Sequence, residues 1–538
     1  MSATLEKFRA ISPAEFFYRN REIAGFSNPT RALYQSVREL VENALDATDA
    51  HGILPNIEIK IEHVPNVEVK MWKESGGKVA AYRISVKDNG IGIPPQYVPE
   101  AFGRVLFSSK YVLRQTRGMF GLGAKMVVLY SQLSVGEPIE VVTSPIGSRR
   151  IYAFRIMIDV QENKPRILYR ASWPKTSDWH GTLVKVTIAG DWSRARSRIL
   201  EYIRRTAIVT PYANIVFATP DGEVYIYRRV TDKIPPPPRE TKPHPHGVDI
   251  EMLRMMLRNT KAKTFFEFLV EEFQGIGKVT AERFISTYGF DPNKDPRSLT
   301  QEEIDKLVKA LREFKDFRPP KSDHLSPIGA ELIKLGLSTI LKPEFVDAVT
   351  LKPIVYEGHS IIVEVGIAYG GAIQPSEQPI LLRYANKIPL LYDERSDVAW
   401  KVITENIDWS YYGIQFPAPL AILVHVCGTK IPYKGVGKES IADVPEIEHE
   451  IEKGIRHVAR QLKAYLAKKK REEEMQRKAI TLIKYIPEVA RCLSVFMNGD
   501  RSKNEQVLKN TLFELVKKKV GTMPPHIRSV EDVVLSIE

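Results

Sequence analysis

Between residues 34 and 46 the apolar positions recur at helical spacing. At about 100° per residue, Tyr34, Val37, Val41, Ala44 and Leu45 fall on one side, while Glu39, Glu42, Asn43 and Asp46 form a narrow polar stripe on the other. The pattern predicts an amphipathic helix with Glu39 and Asn43 one turn apart. Strand-like patterns follow at residues 57–61, 81–86, 139–143, 152–158 and 182–188. Helical and strand patterns interleaved over residues 22–228 predict an α/β sandwich with helices over a mixed sheet. Residues 233–247 are proline-rich and read as a linker, since proline removes ladder donors and breaks helices. Residues 249–317 read as mostly helical, and Arg318-Pro319-Pro320 marks another boundary. Beyond it, residues 354–369 and 420–427 are rich in β-branched side chains and flank a helix-length segment at 396–404, which predicts strand, right-handed crossover helix, strand. Residues 447–484 read as one long charged helix, and 489–538 as a small terminal module.

Composition narrows the class. A chain of 538 residues exceeds one compact core and predicts three or four domains. No apolar run approaches the roughly 18 residues of a spanning helix, and the N-terminus has no secretory apolar stretch, so a cytoplasmic protein without a membrane partner is expected. Two cysteines, Cys427 and Cys492, exclude a disulfide framework or thiolate metal site. The net charge of +13 favours an anionic partner, most simply nucleic acid.

Four motifs carry candidate chemistry. A carboxylate able to polarise water, one turn from an amide oxygen able to ligate a hard cation, suits Glu39 and Asn43 to metal-assisted phosphate hydrolysis. An acidic stripe by itself is usually a solvated face, so the remaining motifs decide. Asp88-Asn89-Gly90-Ile91-Gly92 follows a strand; an ordinary hairpin turn reads the same way, but a strand-end Asp88 also suits an adenine amino group, with glycines admitting the base. Gly118-Met119-Phe120-Gly121-Leu122-Gly123 runs into Ala124, Lys125 and an apolar helix, an anion site suited to a triphosphate, to which Lys125 and Lys110 add charge. Thr182, in His180-Gly181-Thr182, opens a strand with a hydroxyl. None of the glycine motifs has Walker A spacing, and His244-Pro-His246 lacks the neighbours of a metal site. Gly275-Ile276-Gly277-Lys278, between helices, is either a tight turn or a phosphate contact.

The order of these motifs resembles the Bergerat (GHKL) ATP-binding fold of type II topoisomerases, MutL proteins, heat-shock chaperones and histidine kinases. The finer resemblance, carried by residues 39–47, Ser109-Lys110, Arg117-Gly118, the helical Gly275-Ile276-Gly277 insert and Cys427-Gly428-Thr429-Lys430, is to the B subunits of type IIB topoisomerases of archaea. It implies an N-terminal arm at 1–20, a GHKL ATPase domain at 21–230, a helix-two-turn-helix domain at 231–318, a transducer with a long stem helix at 319–484 and a C-terminal region at 485–538. By that resemblance Glu39 activates water, Asn43 holds Mg²⁺, Asp88 reads adenine, and Thr182 lies near the base. Ser109, Lys110, Gly118, Met119, Phe120, Gly121, Leu122, Gly123, Ala124 and Lys125 surround the phosphates of ATP, although Met119-Phe120 departs from the smaller, more polar residues expected there. Lys430 would sense the γ-phosphate, with Lys434 and Lys438 competing for that role. The implied partners are double-stranded DNA, a second copy joined on ATP binding, and a DNA-cleaving A subunit in an A2B2 heterotetramer, since this chain has no Asp-x-Asp pair for cleavage. A MutL-like or chaperone-like ATP-gated clamp is the alternative. The helical insert favours the topoisomerase.

Overall fold

The computed structural model describes residues 10–72, 79–108, 112–118, 121–435 and 437–520. Among these, the chain forms two compact units: one takes in the residues up to Asp408 together with Phe416–Val458, the other Trp409–Gln415 and the residues from Ala459 onward.

In the first unit α1 (Pro13–Arg19) precedes α2 (Pro29–Asp49), which starts where Asn28 accepts the Arg31 N–H and Pro29 occupies the first turn without losing a bond. Then come β1 (Asn56–His63), β2 (Ala80–Lys87), α3 (Val98–Gly103), α4 (Gly123–Ser134), β3 (Ile139–Ser144) and β4 (Arg150–Asp159). The domain continues with β5 (Lys164–Pro174), β6 (Gly181–Gly190), α5 (Trp192–Val209), β7 (Asn214–Ala218) and β8 (Val224–Tyr227). The strands form one sheet in the order β5-β4-β3-β6-β2-β1-β7-β8, antiparallel throughout except at β1 and β7. Val41 of α2, Val127 of α4 and Ile199 of α5 join Ile59, Ile84 and Val186 of the sheet in one buried core. Each of the five expected strands is present. The hydrophobic pattern holds no sign of β5, whose Ile167, Leu168 and Tyr169 are all exposed, so it lacks the alternation that marks a half-buried strand.

The linker has no regular structure before a single short turn at Pro245–Gly247. His244 and His246 donate to the carbonyls of Arg318 and Phe314, so the pair ties the linker to the end of the helical insert. That insert consists of α6 (Ile250–Asn259), α7 (Phe265–Glu272), α8 (Lys278–Tyr288) and α9 (Gln301–Glu313) around a core of Phe268, Phe284, Leu307 and Phe317. Thr264 with Glu267, and Thr300 with Glu303, close capping boxes on α7 and α9, and Gly277 caps α8.

The second sheet follows α10 (Ala330–Leu341). Its elements are β9 (Phe345–Thr350), β10 (Ile354–Tyr356), β11 (His359–Tyr369), β12 (Ile380–Ala385), β13 (Ile388–Pro389), the one-turn α11 (Val398–Lys401) and β14 (Leu420–Gly428). The order is β10-β11-β14-β12-β13, with β9 also on β11. Here the expected crossover is corrected: residues 354–369 and 420–428 are antiparallel neighbours, and the segment carrying α11 instead joins the parallel pair β12 and β14. The strand overlooked in the sequence, β12, contains the buried Arg383, which interrupts its apolar run; its two Nη atoms donate to Asp397 and to the carbonyls of Leu390, Tyr392 and Glu439. Glycine is required where α10 meets α5, because a Cβ on Gly336 would lie 1.8 Å from the Ile208 carbonyl oxygen.

Helix α12 (Pro445–Ser494) runs unbroken through residue 484, and α13 (Arg501–Val520) follows it. In the second unit Ile483 and Ile486 pack with Phe513, and the Lys463 ammonium sits over the Tyr411 ring. No helix among the described residues is long and apolar enough to cross a membrane.

Candidate nucleotide site

Helix α2 spends most of its polar stripe on buried partners. Arg38 donates to Glu42 at 2.7 Å, one turn along, with both side chains buried; burial pushes the Glu42 carboxyl up, against the pull of Arg38. Two turns on, Arg117 bonds Asp46 at 3.2 Å and Asp49 at 2.7 Å, and Tyr212 donates to the same Asp49 oxygen. The stripe is therefore not a uniform reactive face. All four line a cavity of about 700 Å³; Glu42 and Asp46 are held there by arginines, and Glu39 and Asn43 are partly buried.

Glu39 is aimed from both sides. Gln35, one turn earlier, donates to Oε1 at 2.7 Å, and Oε2 faces the first residue of α4 so closely that a Cβ on Gly123 would lie 1.6 Å from it. The carboxylate thus lies beside the N-terminal turn of a helix whose free amides and dipole favour anions. Leu122, at the cap of α4, makes no side-chain cap bond, and Lys125 in the first turn is buried against the cavity.

Asp88 lies one residue past β2, and its Oδ1 accepts the Gly90 and Thr182 amides at 2.8 and 3.1 Å. These bonds fix its orientation. Burial pushes the carboxyl up to about 6, with the two amides pulling the other way. The turn beyond it needs glycine: Gly92 has φ +70°, and a Cβ there would lie 2.4 Å from the Ser144 carbonyl oxygen. Thr182 begins β6 beside Asp88, as expected, and both line the cavity. The hairpin reading of Asp88-Asn89-Gly90 does not hold, because β2 pairs with β6 and β1 rather than with a strand immediately after the turn.

Of the residues expected around phosphates, Gly118, Gly121, Leu122, Gly123, Ala124 and Lys125 line the same cavity, whereas Ser109, Lys110, Met119 and Phe120 lie outside the described residues. The structure separates the three loop lysines. Lys430 pairs with Glu357 of the β10–β11 turn at 3.0 Å, half exposed and off the cavity wall, because it directly follows β14 and remains beside that hairpin. Lys434 pairs with Asp443 at 2.8 Å. Lys438 is the one that reaches the cavity, where it helps to stabilise the charged form of Glu42. Its neighbour Glu439 anchors that approach: buried, it lies 3.6 Å from Arg38 and 3.7 Å from Arg31 of α2. Sequence reasoning named Lys438 as a competitor but did not see Arg38 and Glu439, since nothing local to either shows that residues 401 apart form an ion pair.

A family model described as histidine kinase-, DNA gyrase B- and HSP90-like ATPase matches residues 28–162, and one described as topoisomerase VI B subunit, transducer matches residues 320–478. The chain is 53% identical over 533 residues to the B subunit of the type 2 DNA topoisomerase 6 of Sulfurisphaera tokodaii, covering 98% of each. It is 54% identical over 522 residues to that of Metallosphaera sedula, covering 96% of each, and 53% identical over 521 residues to that of Saccharolobus shibatae, again covering 96% of each. At this identity over nearly the whole length of each chain, with a cavity lined both by the ATPase-like region and by residues matched to the transducer, the chain belongs to the family of type 2 DNA topoisomerase 6 B subunits.

Proposed function

We propose that this chain is the ATP-binding and hydrolysing arm of a type IIB topoisomerase, working as a pair that ATP closes around a DNA duplex. That duplex passes through a break made by a separate cleaving A subunit, in an A2B2 assembly that relaxes supercoils and separates linked DNA. The observation that carries this reading is the meeting of Glu39, Asp88, the start of α4 and the transducer's Lys438 on one cavity. A MutL-like clamp would share the ATPase half, but the match to the transducer model and the helical insert favour strand passage.

The proposed chemistry follows from the geometry. Asp88 accepts a hydrogen bond from the adenine amino group, and the amides at the start of α4 with Lys125 hold the phosphates. Glu39, oriented by Gln35, takes a proton from the attacking water. The oxygen donors of Asn43 and the phosphates suit Mg²⁺, which needs few protein ligands, and the ion would offset charge on the phosphates. Lys438 contacts the γ-phosphate, so its loop distinguishes ATP from ADP. DNA binding draws on the +13 charge and rests on phosphate contacts, so it is largely independent of sequence and weakens with salt. The N-terminal arm docks on the second copy through the exposed Phe16, since Phe17 and Tyr18 pack against the chain's own core.

Light scattering of the full chain tests the closing step: a non-hydrolysable ATP analogue converts monomer to dimer, and a chain that stays monomeric with the analogue bound contradicts the model. Glu39→Gln retains nucleotide binding while hydrolysis falls by roughly 10²- to 10⁴-fold, the range for a lost general base; near-normal turnover excludes the role.

The Asp88 carboxyl must be ionised to accept the adenine donor. ATP affinity is therefore full well above pH 6, is halved near 6 and falls further below it; at one unit below that value it is about tenfold weaker than at pH 8. Asp88→Asn weakens binding at pH 8 and removes this dependence, as titration calorimetry at several pH values will show. A pH-independent affinity in the unaltered protein excludes the adenine contact.

Lys438→Ala loses about 1.5–3 kcal/mol of binding to the ATP analogue, the worth of a charge-assisted contact, while ADP affinity barely moves. Lys430→Ala leaves both nearly unchanged. The reverse ranking would return the sensing role to Lys430.

A further inference from the structure

Four of the five residues before Gly118 are held by distant parts of the chain. The Leu113 carbonyl accepts the Thr241 N–H at 2.9 Å, from the linker that leads into the helical insert. Gln115, buried, donates to the Ser326 carbonyl at 3.1 Å and accepts the Ser326 N–H at 2.7 Å and the Cys427 thiol at 3.0 Å. The Thr116 carbonyl accepts from Asn386 at 3.3 Å. Arg117 holds Asp49, and the same Asp49 oxygen lies 3.7 Å from the Lys387 ammonium, which also donates to the Ser326 hydroxyl at 3.0 Å.

Asn386 and Lys387 are the two-residue tip of the β12–β13 hairpin. Both have positive φ, 48° and 68°, as a tight tip between right-twisted strands requires. The tip is anchored in its own sheet. Asn386 exchanges bonds with both backbone groups of Gly428 at 2.9 and 3.0 Å, and the Lys387 N–H donates to His425 Nε2 at 3.0 Å. Nδ1 of that ring donates to Glu364, which also accepts the Ile328 and Gly329 amides. Ser326, Asn386, Lys387, His425 and Cys427 all lie in the region matched by the transducer model.

We propose that this hairpin tip, with Ser326, is the transducer's grip on the root of the glycine-rich loop, and that Gln115 and Lys387 are positioning residues for ATP hydrolysis. Both line the cavity at the root of the loop, and the role assigned to them there is to hold that root. The transducer meets the nucleotide site twice, at Lys438 and at residues 115–117, and a displacement of its sheet shifts both contacts together. Slippage at the second contact leaves buried donors and acceptors unpaired, so the root follows the sheet rather than letting go. The inference rests on the ATP-site reading above, and the test separates the two.

The test compares Gln115→Leu and Lys387→Met in the full chain, measuring kcat and KM for ATP, affinity for a non-hydrolysable ATP analogue, and each change again in a Lys438→Ala background. With the grip lost, analogue affinity stays within about threefold while kcat falls about tenfold, and the loss is smaller in the Lys438→Ala background because one sheet serves both contacts. Gln115→Glu, which keeps the acceptor for Ser326, restores part of kcat. Should Lys387→Met fail to fold, Asn386→Ser, which shortens the side chain reaching Thr116, takes its place. Unchanged kcat overturns the proposal, as does a parallel loss of analogue affinity or full additivity with Lys438→Ala. If Glu39→Gln and Asp88→Asn also leave hydrolysis and binding untouched, the site reading itself has failed.

Discussion

A carboxylate on one helix can face the first amides of another only where no side chain stands between them, and the approach of Glu39 to Gly123 meets that constraint. With its hypothetical Cβ 1.6 Å from Glu39 Oε2, residue 123 has room for hydrogen alone. Everything around the cavity supports this juxtaposition. The apolar face of α2 fixes its height on the sheet through Val37, Val41 and Leu45, and α4 is buried along nearly its whole length, so neither helix can withdraw from the other without exposing core. Gln35 then selects the carboxylate rotamer.

Buried charge gives α2 its long-range partners. Arg38 with Glu42 and Glu439, and Arg117 and Lys387 with Asp46 and Asp49, place ions where removing one partner typically costs about 3–5 kcal/mol, although such a pair need not stabilise more than an apolar replacement would. Their evident contribution is register. The first cluster sets the loop bearing Lys438 against one end of the helix, and the second sets Arg117-Gly118 and the hairpin tip against the other. A transducer joined by apolar packing alone could slide along α2, whereas these pairs admit one alignment.

The ATPase half was largely legible in the sequence because its determinants are local. Period and turn chemistry marked α2, the five central strands and the glycine loop, and motif order placed Glu39, Asn43, Asp88 and Thr182 around one site. What escaped was either exposed or non-local. Strand β5 shows outward apolar residues and no alternation; β12 carries a charged Arg383 that only tertiary partners satisfy; and the crossover could not be assigned while β12 was missed. Lys430 attracted attention because it closely follows a strand. Its pairing with Glu357 across a hairpin depends on the fold of β10 and β11, as the inward position of Lys438 depends on Glu439 meeting Arg38.

The charge within the cavity explains why the second sheet has to contribute to it. Glu39 and Asp88 bring carboxylates to a site proposed for a polyanion, and on the ATPase side Arg114, Lys125 and the start of α4 are opposing positive elements of its wall. On the proposed mechanism Glu39 takes a proton from water, so its repulsion of a terminal phosphate would have to be offset by a cation. A cation delivered from the transducer relieves it only while that sheet is close. On the proposed mechanism, loss of the terminal phosphate would remove the ligand that Lys438 contacts, and the anchoring of its loop through Glu439, Arg383 and Asp397 gives that change a route into the sheet itself.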